Sequence, residues 1–338
     1  MRVAILAHGK FPGRAKTAVG ILRYGTDEVI AVLDRNNAGD RVRDHVPDVQ
    51  DAPIVSGMAE VEASIDALVV GIAPIGGGFD ESWRADVRTA MERGADVIAG
   101  LHYFLEDDEE FAALAAEHDV DIWDVRKPPA DLTVAEGVAD TVDAEVITTV
   151  GTDCSTGKMT ASMELVEAAR AAGHDAAMVP TGQTGIMIEG WGIPVDRVIS
   201  DFAAGAVEQL VLEKGDEQDY LVVEGQGSLT HPAYSGVTLS ILHGSMPQKL
   251  VLCHVAGREA IHGYESFEMP TLSEYVDLYE SVAAPVAETD VVAGMLHTGA
   301  MESDAAAREA VEEYSQSLGL PATDPVRFGA ESVLEAVL

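Results

Sequence analysis

The residues best suited by type and spacing to do chemistry lie in one stretch, Gly151-Thr152-Asp153-Cys154-Ser155-Thr156-Gly157-Lys158-Met159-Thr160. Two glycines bracket small polar residues and a lysine follows, the composition of a turn whose backbone N–H groups converge on anionic oxygens at a helix start. Lys158 adds a point charge, so the ten residues are the expected cradle for a phosphorylated cofactor. The spacing is unusual: five residues separate Gly151 from Gly157, where the common phosphate loop has four. Met159 also stands where a Mg²⁺-binding hydroxyl belongs, with Thr160 one position late. The bland alternative is a glycine-rich turn that binds nothing.

A second candidate is Glu224, which ends the apolar run from Tyr220 and is followed by Gly225 and Gly227. A carboxylate there suits proton transfer, amine binding or a metal-bound water. His231 and His243 follow in a polar segment, each either a hydrogen-bonded, partly buried histidine or a base. Gln183 and Thr184, after the strand candidate 176–180, together with Asp201, Gln226 and Ser228, are the expected substrate contacts.

These side chains need strands to carry them. The run from Val146 is β-branched and apolar, and the helix after Lys158 repeats Ala161, Leu165, Val166 and Ala169 at core-facing spacing. Further parallel strands are expected at 220–224, 249–255 and 291–298, with helices over 272–282 and 303–318. The N-terminal part reads as strands over 3–7, 28–34, 67–73, 96–101 and 120–125 with helices between. Asp34 ends the second of these, either as a ribose-binding acid or as a solvated strand-end acid, but the G-x-G-x-x-G fingerprint is missing. The loop from Pro74 through Gly78 could admit a ligand or be a plain turn. Consecutive prolines at Pro128 and Pro129 break the pattern. The expected fold class is therefore α/β, with two domains that are each a mainly parallel sheet flanked by helices: a Rossmann-like domain over 1–129, a linker over 130–145 and a phosphate-loop domain over 146–338.

Composition bounds the partners. Asp and Glu number 58 against 21 Lys and Arg, a formal charge of -37, which excludes duplex nucleic acid and anionic membrane as natural partners. A high-salt cytoplasm explains the acid excess, since molar salt shortens the screening length to ~3 Å. Two isolated cysteines exclude a disulfide framework or a C-x-x-C zinc site. No signal peptide or membrane span is present, so a cytoplasmic protein, a homo-oligomer acting on a small molecule, is expected.

The Gly-Thr-Asp opening of the loop resembles dethiobiotin synthetase. Along its whole length the chain is similar to the D-glutamate N-acetyltransferase-like family, which joins a Rossmann-like domain to a dethiobiotin-synthetase-like P-loop domain. The strings that carry the resemblance include Gly71-Ile-Ala-Pro74, Gly100-Leu-His102, Asp124-Val-Arg-Lys-Pro-Pro129, Val150-Gly-Thr-Asp-Cys154, Thr181-Gly-Gln-Thr-Gly185, Val223-Glu-Gly-Gln-Gly-Ser228, His231-Pro232 and Asp324-Pro-Val-Arg-Phe-Gly329. The resemblance implies acetyl transfer from acetyl-CoA to the amino group of a D-amino acid. Glu224, His231 and Asp153 would then be catalytic, backbone N–H groups near Gly225 would stabilise the oxyanion, and Arg126 or Arg327 would hold carboxylates. No metal is then needed. The alternative is an ATP- and Mg²⁺-dependent ligase or kinase with Asp153, Thr160 and Glu224 on the metal; a third is a non-catalytic nucleotide- or CoA-binding module.

Overall fold

The computed structural model describes residues 1–338 apart from Ala73 and Ile75, so the last residue of the strand expected over 67–73 and one residue of the loop after Pro74 lie outside the described residues. The chain divides into two compact units: Met1–Pro128 with Ile186–Pro194, and Pro129–Gly185 with Val195–Leu338.

Unit 1 is built on six parallel strands, β1 (Arg2–Leu6), β2 (Glu28–Leu33), β3 (Ile54–Val55), β4 (Ala67–Val70), β5 (Asp96–Ala99) and β6 (Ile122–Asp124), in the spatial order β3-β2-β1-β4-β5-β6. That is the Rossmann order, and ligands of such sheets sit outside the strands' carboxyl ends. The helices are α1 (Lys16–Tyr24), α2 (Arg84–Glu92) and α3 (Glu109–His118). Leu6, Leu33, Leu68, Phe111 and Ile186 are fully buried in one core, which explains why the strands read as unbroken apolar runs. Asp34 is neither a solvated acid nor open to a ribose. It is buried and accepts from the Gly9 and Asn36 amides and the Asn37 side chain, at 2.5, 3.3 and 2.8 Å.

Unit 2 holds a second parallel sheet of β7 (Glu145–Gly151), β8 (Ala176–Val179), β9 (Tyr220–Val223), β10 (Lys249–Val255), β13 (Asp290–His297) and β14 (Ala322–Thr323), in the order β14-β13-β10-β7-β9-β8. An antiparallel pair, β11 (Ala260–Ile261) with β12 (Tyr264–Glu268), stands outside it. Sequence patterning missed that pair because β12 is exposed along its whole length and shows no alternation. The helices are α4 (Lys158–Ala171), α5 (Gln183–Glu189), α6 (Ser200–Lys214), α7 (Ser235–Ser245), α8 (Leu272–Ala283), α9 (Asp304–Leu318), α10 (Pro325–Phe328) and α11 (Glu331–Val337), with the division between units falling inside α5. The segment 130–145, expected as a linker, is docked on α6: Glu208 accepts the Glu136 and Val138 amides at 2.6 and 2.8 Å. Among the described residues no helix is long and apolar enough to cross a membrane.

Candidate functional site

β7 is the buried centre of its sheet, flanked by β10 and β9, so its carboxyl end delivers the loop to the middle of the strand-end face. Gly157 at φ +89° caps α4, a left-handed conformation that only glycine adopts without cost. Gly151 is required by a close approach, since a Cβ there would stand 2.6 Å from Thr156 Oγ1 and 2.8 Å from Lys158 Nζ. Lys158 is buried in the first turn of α4, with Nζ donating to the Asp153 carbonyl at 2.9 Å and to Thr156 Oγ1 at 3.3 Å. The expected core face of the helix is present in Ala161, Leu165, Val166 and Ala169.

Asp153 is fully buried and accepts three hydrogen bonds. Its Oδ1 accepts from the Cys154 amide at 2.6 Å, and its Oδ2 from Arg258 Nη1 at 3.0 Å and the His262 amide at 2.8 Å. A carboxylate held by these three donors organises the loop around it. Arg258 Nη1 also donates to the Cys154 carbonyl at 2.8 Å, so one guanidinium nitrogen holds two consecutive residues of the loop.

His231 is buried, with Nε2 4.0 Å from Asp153 Oδ1. Burial lowers its pKa, against the pull of Asp153, so the ring is neutral near pH 7. The Ala233 amide donates to Nδ1 at 3.1 Å, which therefore carries the lone pair and leaves the hydrogen on Nε2. His231 thus offers the loop a hydrogen-bond donor.

Asp153, Cys154 and His231 place one ligand atom each within 4.8 Å of one another, the geometry of a cation site. The donor set does not fit one: Nε2 presents a hydrogen where a metal needs a lone pair, and Arg258 already neutralises the carboxylate. Of the set foreseen for Mg²⁺ (Asp153, Thr160 and Glu224), Asp153 Oδ2 carries Arg258 and the His262 amide, and Glu224 Oε2 takes the Thr181 and Gly182 amides at 3.2 and 3.1 Å.

Those bonds join the ends of β8 and β9. Glu224 is buried, and Gly182 and Gly185 pass so close that Cβ atoms would fall 3.1 and 2.7 Å from its carboxylate oxygens. Thr181 Oγ1 donates to the Glu224 carbonyl at 2.6 Å, and Gln226 Nε2 reaches Thr181 Oγ1 at 3.3 Å. Gln183 and Thr184 are buried in the first turn of α5, and Ser228 is buried beside Thr230. Glu224, Gln226, Thr181 and Gly182 are thus brought together. Asp201 is exposed on the first turn of α6 and makes no hydrogen bond to the loop among the described residues. Arg327 gives its terminal nitrogens to Asp304 at 2.7 Å and the Met301 carbonyl at 2.8 Å, which ties α10 to the approach to α9. Arg126 belongs to unit 1, where its Nε donates to the Gly100 carbonyl at 2.8 Å.

Sequence reasoning missed Arg258 and His254. Both follow the apolar run of β10, whose carboxyl end faces the loop, and that position was the available signal. His254 Nδ1 lies 2.8 Å from Thr152 Oγ1, and burial first, then the Arg258 charge, holds its pKa down to about 4. Tyr275 and Tyr279 donate their hydroxyls to the Thr152 and Gly151 carbonyls, both at 2.7 Å. Burial pushes the Tyr275 hydroxyl up to about 12. Beside this wall opens a cavity of about 250 Å³ lined by Thr152, His254, Arg258, Glu259, Thr271 and Tyr275, among others.

Residues 133–334 match the P-loop domain of DUF1611, a domain of unknown function, and residues 35–128 match the Rossmann-like domain of the same family. A D-glutamate N-acetyltransferase from Tritonibacter scottomollicae is 34% identical over 331 residues, covering 96% of this chain and 94% of the relative. Another protein of that name, from a Pseudoalteromonas species, is 36% identical over 268 residues, covering 79% and 80%. The crystal structure of a DUF1611 family protein from Anabaena variabilis superposes with a TM-score of 0.94 at 42% identity, covering 99% of this chain and 98% of that one. Both domain matches and the full-length relatives agree, and the chain belongs to the DUF1611 family.

Proposed function

We propose that the chain is an N-acetyltransferase that moves the acetyl group of acetyl-CoA onto the amino group of D-glutamate or a closely similar acidic amino acid. The observation that carries this reading is the match, over nearly the whole of both chains, to a relative of that activity. The loop supports it. Coenzyme A needs its phosphates bound but not cleaved, so a cradle with Lys158, an Asp153 paired with Arg258, and Met159 in place of a metal-binding hydroxyl loses nothing for this chemistry.

In the reaction the amine nitrogen attacks the thioester carbonyl, a C–N bond forms, the C–S bond breaks and the amine's proton passes through a base to the departing thiolate. Glu224, fixed by two amides, is the group assigned to that proton. Neutral His231, with its hydrogen on Nε2, is assigned to the carbonyl oxygen as negative charge develops there. Arg258 takes the acceptor's carboxylate: its Nη1 makes both loop contacts, leaving Nε and Nη2 unpartnered among the described residues at the wall of the cavity. These roles replace those first assigned to Arg126, Arg327 and Asp153.

The test follows thiol release from acetyl-CoA with D-glutamate, with and without EDTA, beside ADP release from ATP. The expected result is thiol release that ignores EDTA and falls by at least about a hundredfold in Glu224→Gln. ADP formation with no thiol release would overturn the reading in favour of a carboxylate-activating ligase.

A further inference from the structure

The proposed chemistry leaves an aromatic surface of unit 2 unused. Tyr234, Tyr264 and Phe267 are 50, 40 and 49% exposed, and among the described residues of unit 2 they are its exposed aromatic side chains. They are not scattered. The Tyr234 ring lies 4.6 Å from the His231 ring, tilted by 35°, Tyr264 meets the same ring edge-on at 5.1 Å, and Phe267 stands 6.3 Å from Tyr264. Single exposed apolar residues are ordinary in a folded protein, whereas a contiguous group marks a surface that a ligand or partner covers. Shielding His231 does not account for it, because that ring is buried while both tyrosines keep much of their area in water.

What covers the surface follows from what His231 holds. Tyr264 belongs to β12, and the turn before it is pinned to the phosphate loop by the His262 amide, which donates to Asp153 Oδ2 at 2.8 Å. Tyr234 comes from a different segment, packed against the string after β9, where a Cβ on Gly227 would fall 3.0 Å from Tyr234 Cβ. Both rings touch the imidazole whose Nε2 is assigned to the thioester oxygen. A carbonyl carbon lies about 1.2 Å from its oxygen, so the group it carries starts within reach of the rings. Because both rings are exposed, the surface does not close behind a methyl group. Charge narrows the choice further. Glu265 and Glu268 are exposed on β12, so an acyl tail that ends in a carboxylate meets like charge and must shed its water onto apolar rings. A second copy docking here would bring its own charge of -37 against the same acids.

We propose that Tyr234 and Tyr264 form an open acyl platform, and that the chain transfers straight-chain acyl groups longer than acetyl, butyryl among them, from coenzyme A to the same amine. The inference rests on the acetyltransferase reading and on the role given there to His231. The step balances as it does for acetyl: a C–N bond forms at the acyl carbon, the C–S bond breaks, and the amine's proton leaves with the thiolate. Phe267, against Tyr264, extends the platform.

The experiment measures kcat/KM for thiol release with D-glutamate and, in turn, acetyl-, butyryl- and succinyl-CoA in molar KCl. A closed acetyl pocket rejects even one extra methylene by roughly 10–200-fold, so an open platform should keep butyryl-CoA within about tenfold of acetyl-CoA. Succinyl-CoA, as long as butyryl-CoA but charged at the end, should fall at least about tenfold below it. In Tyr234→Ala/Tyr264→Ala the butyryl-to-acetyl ratio should drop at least about fourfold, the worth of one buried methylene. Tyr234→Phe/Tyr264→Phe, which keeps both rings, should hold the ratio. The ratio is internal to each chain, so a general loss of folding or of His231 cancels from it. Three results each overturn the platform: butyryl-CoA further than that below acetyl-CoA, succinyl-CoA closer than that to butyryl-CoA, or a ratio that stays put in the alanine variant. A ratio that stays put while the sedimentation coefficient shifts would make the aromatic cluster an interface between copies instead. No thiol release from acetyl-CoA would sink the acetyltransferase reading, whereas acetyl transfer without butyryl transfer sinks the platform alone.

Discussion

Acidification should weaken unit 2 through His254. The ring is stacked 5.7 Å from Tyr314 and bonded to Thr152 Oγ1. Burial and the neighbouring Arg258 hold its pKa at about 4, against 6.5 for an ordinary histidine. The unfolded chain therefore takes up the proton near pH 6.5 and the folded chain only near pH 4. The stabilising contribution is complete above pH 6.5 and is lost progressively as the pH falls towards 4. At 1.36 kcal/mol per unit, that loss is about 3 kcal/mol. Carboxylates titrate in the lower part of the same window, so the measurement is a difference between wild type and His254→Gln, which removes the titration and keeps a partner for Thr152. Hydrogen exchange of the β10 amides, corrected for the pH dependence of intrinsic exchange, reads the opening free energy of each chain at pH 7 and pH 4 in molar KCl. The wild-type advantage should shrink by about 3 kcal/mol across that range. An advantage that stays constant within about 0.5 kcal/mol would show that His254 is not buried neutral and that the wall beside the loop is misread.

Lys158→Ala should weaken acetyl-CoA binding by about 2 kcal/mol, roughly thirtyfold, without unfolding the chain, as checked by calorimetry and circular dichroism. Gly151→Ala should do similar damage from the opposite side, because its Cβ would displace the ammonium group from a position 2.8 Å away. Thermal melts should lose cooperativity between molar and about 50 mM KCl as the charge of -37 is unscreened; an unchanged transition would remove the saline habitat as the reason for the acid excess.

The fold was legible because the buried parallel strands are apolar over most of their length, and β2, β4, β5, β7 and β9 end at a glycine or an acid. β7 and its helix were readable to within a residue, since the cradle imposes Gly151, Gly157 and Lys158 together. The site was legible only where one segment supplies it. Asp153, Lys158 and Glu224 announce themselves in local strings, whereas Arg258 reaches Asp153 across 105 residues and the Tyr275 hydroxyl reaches Thr152 across 123. Those contacts follow from the order β10-β7-β9, which no local pattern encodes. Arg327 was misleading for the converse reason. Its string Asp324-Pro-Val-Arg-Phe-Gly329 looks like a recognition loop, but Asp324 caps α10 by accepting the Val326 and Arg327 amides, and Arg327 ties that helix to Asp304.

Tautomers divide the remaining labour. At His231 the Ala233 amide fixes the lone pair on Nδ1, so Nε2 donates. A ring in that state cannot take the amine's proton through the nitrogen that faces the loop, and burial disfavours the doubly protonated form it would become. In the proposed reaction, proton uptake is therefore assigned to Glu224, a buried carboxylate that follows β9. The Thr181 and Gly182 amides both donate to Oε2 and hold this carboxylate in place between the ends of β8 and β9. Asp153 is instead engaged by Arg258 and the Cys154 and His262 amides, which use it to fix the loop. Asp153, one of three residues the resemblance marks as catalytic, is thus held where it shapes the loop, and in the proposed reaction the proton is assigned to Glu224, the acid outside it.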